Sequence, residues 1–65
     1  MNNFDLLQLL IVIERNNFEK YLKIREFAQK VLFIHEIHWA RFRMNAHELS
    51  PSERVKILNF INNFQ

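Results

Sequence analysis

Residues 17–45, NFEKYLKIREFAQKVLFIHEIHWARFRMN, decide the fold, because this stretch has neither Gly nor Pro and its apolar residues recur at helical spacing. Nothing in it signals a stop before Met44 or Asn45. The sequence therefore predicts one helix over residues 18–44, roughly 40 Å long at 1.5 Å per residue. A break inside this helix would have no local signal.

Two apolar faces run along the predicted helix. The first alternates steps of three and four residues over the whole stretch and consists of Tyr21, Ile24, Ala28, Val31, His35, His38 and Phe42. The second lies on another side, only in the C-terminal half, and consists of Phe33, Ile37, Ala40 and Met44. Two apolar faces require two neighbours, so we expect this helix to pack against more than one element.

Two shorter helices flank the long one. Asn3 is a suitable cap for a first helix, and the motif at residues 50–53, Ser-Pro-Ser-Glu, combines a capping hydroxyl, Pro at the first helical position and Glu three residues after the cap. Because the chain has no Gly, we expect no tight hairpins, and left-handed positions should fall on Asn. The fold class is all-α, a single small helical domain of residues 1–65 with three helices over about 4–15, 18–44 and 51–64. The left-handed residues should be Asn16, Asn17 and Asn45.

Length and composition favour an oligomer. The chain has 65 residues, 49% of them hydrophobic, and no Cys that could form a disulfide. We therefore predict a symmetric dimeric helical bundle in which the long helices pack antiparallel and the short helices lie outside. The alternative is a compact three-helix monomer with a kinked middle helix.

His35 and His38 lie at the centre of the first apolar face. Their spacing of i and i+3 comes with no third ligand, so we predict no metal site and no cofactor. A histidine inside an apolar seam is typically a hydrogen-bonded core residue that fixes the register of packing. We expect this pair to set the register and to make the seam pH-sensitive, with a destabilising acid transition near about pH 5 to 6.

Several function classes have little support in the sequence. The chain has no Gly-rich phosphate loop and no nucleophile with a placed base, so we predict that it is not an enzyme. Its apolar run at residues 6–13 is far shorter than the ~20 residues of a membrane span, and the default location is cytoplasmic. Basic residues recur along the long helix, but the net charge is only +2, which makes nucleic-acid binding the alternative reading.

The sequence thus favours a small non-enzymatic protein–protein interaction module, an adaptor, regulator or inhibitor of a larger protein, acting as a homodimer. Arg and aromatic residues are enriched at the energetic centres of interfaces. The predicted partner-binding residues, expected to be exposed, are Trp39, Arg41, Phe42 and Arg43. A helix-turn-helix is not expected, because residues 17–45 offer no break for its turn.

Overall fold

The computed structural model describes residues 1–64, and within them the chain is all-helical with no strand. The prediction of one long helix over residues 18–44 is wrong, because a connection at residues 31–35 divides this stretch into two helices. The described chain therefore has four helices instead of three: α1 (Asn3–Asn16), α2 (Phe18–Lys30), α3 (Glu36–Arg43) and α4 (Pro51–Asn62).

The start of α1 is fixed by a capping box one residue earlier than expected. Asn2, not Asn3, is the cap: its side chain accepts a hydrogen bond from the backbone N–H of Asp5 at 2.8 Å, and the Asp5 carboxylate faces the backbone N–H of Asn2. Asn3 has a longer-range role. Its amide oxygen accepts from the backbone N–H of Leu49 at 2.8 Å, and its amide nitrogen donates to the Leu49 carbonyl at 3.3 Å. This side chain thus joins the start of α1 to the connection that precedes α4.

The break between α2 and α3 is made by a residue with no local signal for it. Phe33 has φ +59°, the left-handed region that Gly or Asn usually occupies. Around it, the N–H of Leu32 donates to the Phe27 carbonyl at 3.3 Å and the N–H of Ile34 donates to the Ala28 carbonyl at 3.0 Å. These bonds satisfy carbonyls at the end of α2, while the side chain of Ile34 turns into the core.

The physical reason for the break is burial. A straight helix over residues 18–44 would extend past the neighbours that one chain can supply, whereas a reversal after α2 returns α3 to the same core. The largest dimension of the structure is 27 Å, shorter than the predicted long helix alone. Its radius of gyration, 10.6 Å, agrees with the roughly 11 Å expected for a folded single chain of this length.

The ends of α3 and α4 follow local rules more closely. Asn45, at φ +58°, ends α3 in a Schellman motif, with the N–H of Ala46 bonded to the Arg41 carbonyl at 2.8 Å and that of Asn45 to the Phe42 carbonyl at 2.9 Å. The left-handed position predicted at Asn45 is confirmed. The left-handed positions predicted at Asn16 and Asn17 are wrong, because Asn16 is the last residue of α1 and Asn17 caps α2 with φ −151° and ψ 84°.

The predicted cap of α4 is also confirmed. Ser50 Oγ accepts from the backbone N–H of Glu53 at 3.1 Å, and Glu53 Oε1 accepts from that of Ser50 at 2.8 Å. The helix ends at Asn62, two residues before the predicted end.

One apolar core takes side chains from all four helices and from both connections around α3. Its buried members are Leu6, Leu7, Leu10, Tyr21, Ile24, Ala28, Ile34, Trp39, Phe42, Leu49, Ile57 and Ile61. Among residues 1–64, no helix has the length and apolar character needed to cross a membrane.

Candidate interaction surface

Two of the four predicted partner-binding residues belong to the core. Trp39 is 3% exposed and Phe42 is 1% exposed, with their rings 5.5 Å apart on the inner face of α3. The indole N–H of Trp39 donates to the hydroxyl of Tyr21 at 3.2 Å, which pairs a buried donor with a buried acceptor. The expectation that these aromatic residues are exposed is therefore wrong. Both hold α3 in the core, and Trp39 joins it to α2 through Tyr21.

Arg43 is also held within the chain. Its Nη2 donates to Glu14 Oε1 at 2.7 Å, and its guanidinium lies over the ring of Tyr21 at 4.8 Å from the centroid. Burial lowers the pKa of Arg43, but the hydrogen bond to Glu14, together with the electrostatic influence of Tyr21 and Glu14, outweighs it, so the pKa is raised. Arg43 thus links α3 to α1, and of the four predicted residues Arg41 alone is exposed.

The two predicted seam histidines lie in different environments. His35 is exposed and caps α3, with its Nδ1 accepting from the backbone N–H of Ile37 at 3.1 Å. His38 is half-buried, and its ring meets the ring of His47 edge-on with 3.5 Å between centroids. Within residues 1–64 its Nε2 is buried without a hydrogen-bond partner. His35 and His38 therefore do not lie in one shared apolar seam. The predicted acid transition depended on such a seam.

The histidines also fall short of a metal-binding set. Among the described residues, no three His, Asp or Glu side chains converge as ligands for an ion. His38 and His47 are a pair, whereas structural and catalytic zinc sites use at least three protein ligands.

The second apolar face of the sequence lies outside the core and is exposed. Ile37 is 59% exposed, Met44 is 76% exposed and Ala40 is exposed between them. These three residues, spaced i, i+3 and i+7, form one stripe that we call the α3 outer face. Phe33, four residues before Ile37, is 84% exposed in the connection that leads into α3. The helix therefore has an apolar inner face in the core and an apolar outer face in solvent.

A polar cleft borders this outer face. It lies between α2 and α3, has a volume of about 460 Å³, and is lined by Tyr21, Arg25, Gln29, Glu36, Trp39, Ala40, Arg43 and Met44. The Arg25 guanidinium and the Gln29 amide can donate hydrogen bonds, and the Glu36 carboxylate can accept them. Because Ala40 and Met44 belong to both features, the cleft can supply the polar rim of an interface centred on the outer face.

A second groove, between α2 and α4, is mainly apolar. Its volume is about 410 Å³, and its lining residues are Lys23, Glu26, Phe27, Lys30, Val31 and Phe60. The rings of Phe27 and Phe60 stack with 4.4 Å between centroids, and Val31 at the edge is 57% exposed. The groove therefore ends at the connection that carries Phe33.

The basic residues do not form one continuous stripe. The break at residues 31–35 separates Lys23 and Lys30 on α2 from Arg41 on α3. Lys30 Nζ lies 3.9 Å from Glu26 Oε1, and Lys23 Nζ lies over the ring of Phe64. The break also removes the argument that residues 17–45 are too continuous for a helix-turn-helix.

Comparison with known proteins adds no relative to this picture: no family model, curated protein or solved structure matches the chain.

Proposed function

We propose that the protein is a small non-enzymatic interaction module, an adaptor, regulator or inhibitor, that acts as a homodimer and binds a larger protein. The observation that carries this proposal is the α3 outer face, where Ile37 and Met44 are exposed on a helix whose opposite face already lies in the core. A surface helix normally presents polar residues on its outer side. An apolar outer face is typical of a helix that is covered by another protein.

The spacing of the outer face fits one mode of recognition. Apolar anchors at i, i+3 and i+7 are the pattern by which a helix docks into an apolar groove. Transfer of apolar area from water contributes about 25 cal/mol per Å², so side chains as large as Ile37 and Met44 can each contribute more than about 1 kcal/mol. We therefore expect the larger partner to supply a groove that encloses both side chains.

The charged residues near the α3 outer face indicate what kind of groove the partner supplies. Arg41 follows Ile37 by one helical turn and is exposed, while Arg25 lines the neighbouring cleft. Arg43 is paired with Glu14 and adds little free charge. A groove with acidic residues on its rim would complement Arg41 and Arg25 without having to break the pair between Arg43 and Glu14.

The test compares matched variants of the tagged protein in capture from nuclease-treated lysate of the source cells. Ile37→Asp and Met44→Asp place a charge on the outer face, whereas Val55→Asp places the same charge on a similarly exposed residue of α4. We expect one protein to be retained by the wild type and by Val55→Asp, and to be lost with the two outer-face variants. Far-ultraviolet circular dichroism of each variant establishes that its helices are formed.

The captured protein is then purified and its affinity measured directly. Binding that weakens by about tenfold or more with Met44→Asp, and changes little with salt, supports the proposal. Equal affinity for Met44→Asp and Val55→Asp would exclude the outer face. Capture of nucleic acid from a parallel lysate that is not treated with nuclease, with an affinity that falls steeply with salt, would instead favour the alternative reading of the protein as a nucleic-acid-binding regulator.

A further inference from the structure

Phe33 has the geometry of a knob presented to another molecule. Its side chain is 84% exposed, the largest exposed fraction among the large hydrophobic residues of the described chain. The connection around it is fixed on both sides, by the bond from the N–H of Leu32 to the Phe27 carbonyl and by the buried side chain of Ile34. A ring held out on a fixed backbone loses little conformational entropy when it is bound.

The groove between α2 and α4 is a suitable receptor for such a ring. Its volume of about 410 Å³ exceeds the roughly 150 Å³ apolar cavity that is sufficient to bind benzene. The stacked rings of Phe27 and Phe60 supply aromatic walls, and the aliphatic stems of Lys23 and Lys30 extend the apolar lining.

Knob and groove are neighbours on the same molecule. Val31 lines the groove and is two residues from Phe33, so their Cα atoms are separated by no more than about 7 Å. A twofold axis near Val31 would bring the knob of each copy to the groove of the other, which is the self-complementary contact of a symmetric dimer. A knob on the opposite side of the molecule from its groove would instead generate a ring or an open chain of copies.

We propose that Phe33 of each copy inserts into the apolar groove between α2 and α4 of a second copy. This inference rests on the homodimer of the proposed function and assigns the surface that forms it. Two inserted rings bury about 150 to 250 Å² each, and the groove walls lose a similar area, so the interface stays below about 1,200 Å². An interface of that size predicts a weak and reversible dimer.

Sedimentation velocity between about 5 µM and 500 µM tests the insertion with variants of the knob, the groove and a control. Phe33→Ser removes the knob, and Val31→Glu charges the edge of the groove. Val55→Glu is the matched control, because Val55 and Val31 are both 57% exposed. We expect the first two changes to raise the dimer dissociation constant by about tenfold or more, and the control to change it by less than about threefold.

A mixture of the two impaired variants gives the most specific test of the contact between knob and groove. Phe33→Ser retains an intact groove and Val31→Glu retains an intact knob, so the mixture can form one of the two reciprocal contacts. We expect a heterodimer that is tighter than either variant's self-association. Should Val31→Glu fail to fold, Phe33→Ser carries the test with Val55→Glu as its control.

The outcomes separate this inference from the proposed function. A wild-type dimer that persists unchanged in Phe33→Ser would overturn the insertion while leaving a homodimer formed through another surface. A wild-type chain that stays monomeric over the whole concentration range would overturn both the insertion and the homodimer. Neither result affects the capture test, because that test alters Ile37 and Met44.

Discussion

At the scale of single residues, Phe33 combines two unfavourable features. Its left-handed backbone costs a non-Gly residue about 1 to 2 kcal/mol, and its ring lies in solvent instead of in the core. Residues with a strained backbone cluster at functional sites, so this combination makes Phe33 a candidate functional residue. Insertion of the ring into a second copy would offset part of this cost.

A comparison of Phe33→Gly with Phe33→Ala isolates the backbone cost, because both variants lack the ring. Gly avoids the left-handed penalty of about 1 to 2 kcal/mol, but its greater freedom in the unfolded chain costs about 0.5 to 1 kcal/mol. We expect Phe33→Gly to be the more stable by about 0.5 to 1 kcal/mol in urea unfolding. A lower unfolding free energy for Phe33→Gly than for Phe33→Ala would show that the connection is not left-handed in solution.

Arg43 provides a second test at the residue scale. Arg43→Gln removes the ion pair with the half-buried Glu14, and we expect the free energy of unfolding to fall by about 1 to 2 kcal/mol after allowance for partial solvent screening. Because the pKa of Arg43 is raised, its contribution is complete below the ordinary value and is lost only at strongly alkaline pH.

The measurement is urea unfolding of the wild type and Arg43→Gln across about pH 6 to 9, where arginine remains charged in both folded and unfolded chains. We expect the difference between the two proteins to stay constant over this range. Glu14→Gln removes the other charge of the ion pair and serves as the control. If the double variant Arg43→Gln/Glu14→Gln is no less stable than Arg43→Gln alone, the two residues are coupled through this pair. A difference that disappears within the range would contradict the role of the guanidinium.

At the scale of the helices, α3 depends on an unusual cap. His35 Nδ1 accepts from the N–H of Ile37, a task that Asp or Ser usually performs. His35→Asp should therefore stabilise the protein by about 0.5 to 1 kcal/mol, through a stronger acceptor and a favourable charge at the helix N-terminus. His35→Ala should destabilise it by a similar amount. Thermal melting at neutral pH checks the order, and an Ala variant as stable as the Asp variant would show that no cap forms there.

The helices also show which elements could be predicted from sequence. The start of α4 was predictable because its capping box depends only on residues 50–53. The end of α2 was not, because Phe33 is a poor left-handed residue and its conformation is imposed by the burial of Ile34 against distant parts of the chain. Local rules describe local hydrogen bonds, whereas tertiary packing selected this break.

The same distinction applies to the candidate surface. Helical spacing separated Ile37, Ala40 and Met44 from the other apolar residues of residues 17–45, and the structure leaves all three exposed. Spacing could not show that Trp39 would turn inward, because that depends on the position of α3 after the break. The apolar groove combines Phe27 with Phe60 from distant parts of the sequence, so only the fold could reveal it.

At the scale of the whole molecule, a single chain completes its core and leaves apolar residues exposed outside it. We propose that two groups of these residues bind other molecules. The outer face of α3 and the Phe33 knob lie on neighbouring parts of the chain, so one dimer could present two outer faces to its partners. Two linked sites bind a partner with two matching grooves more tightly than one site does. The proposed dimer would therefore strengthen partner binding.

The insertion of Phe33 into a second copy is tested most directly by an isotope-filtered nuclear Overhauser experiment on an equal mixture of labelled and unlabelled protein at about 0.5 mM, a concentration suited to a weak dimer. Insertion of the Phe33 knob predicts intermolecular cross-peaks between the Phe33 ring of one copy and the Phe27 and Phe60 rings of the other. Intermolecular cross-peaks confined to other surfaces, or none at all at this concentration, would contradict it.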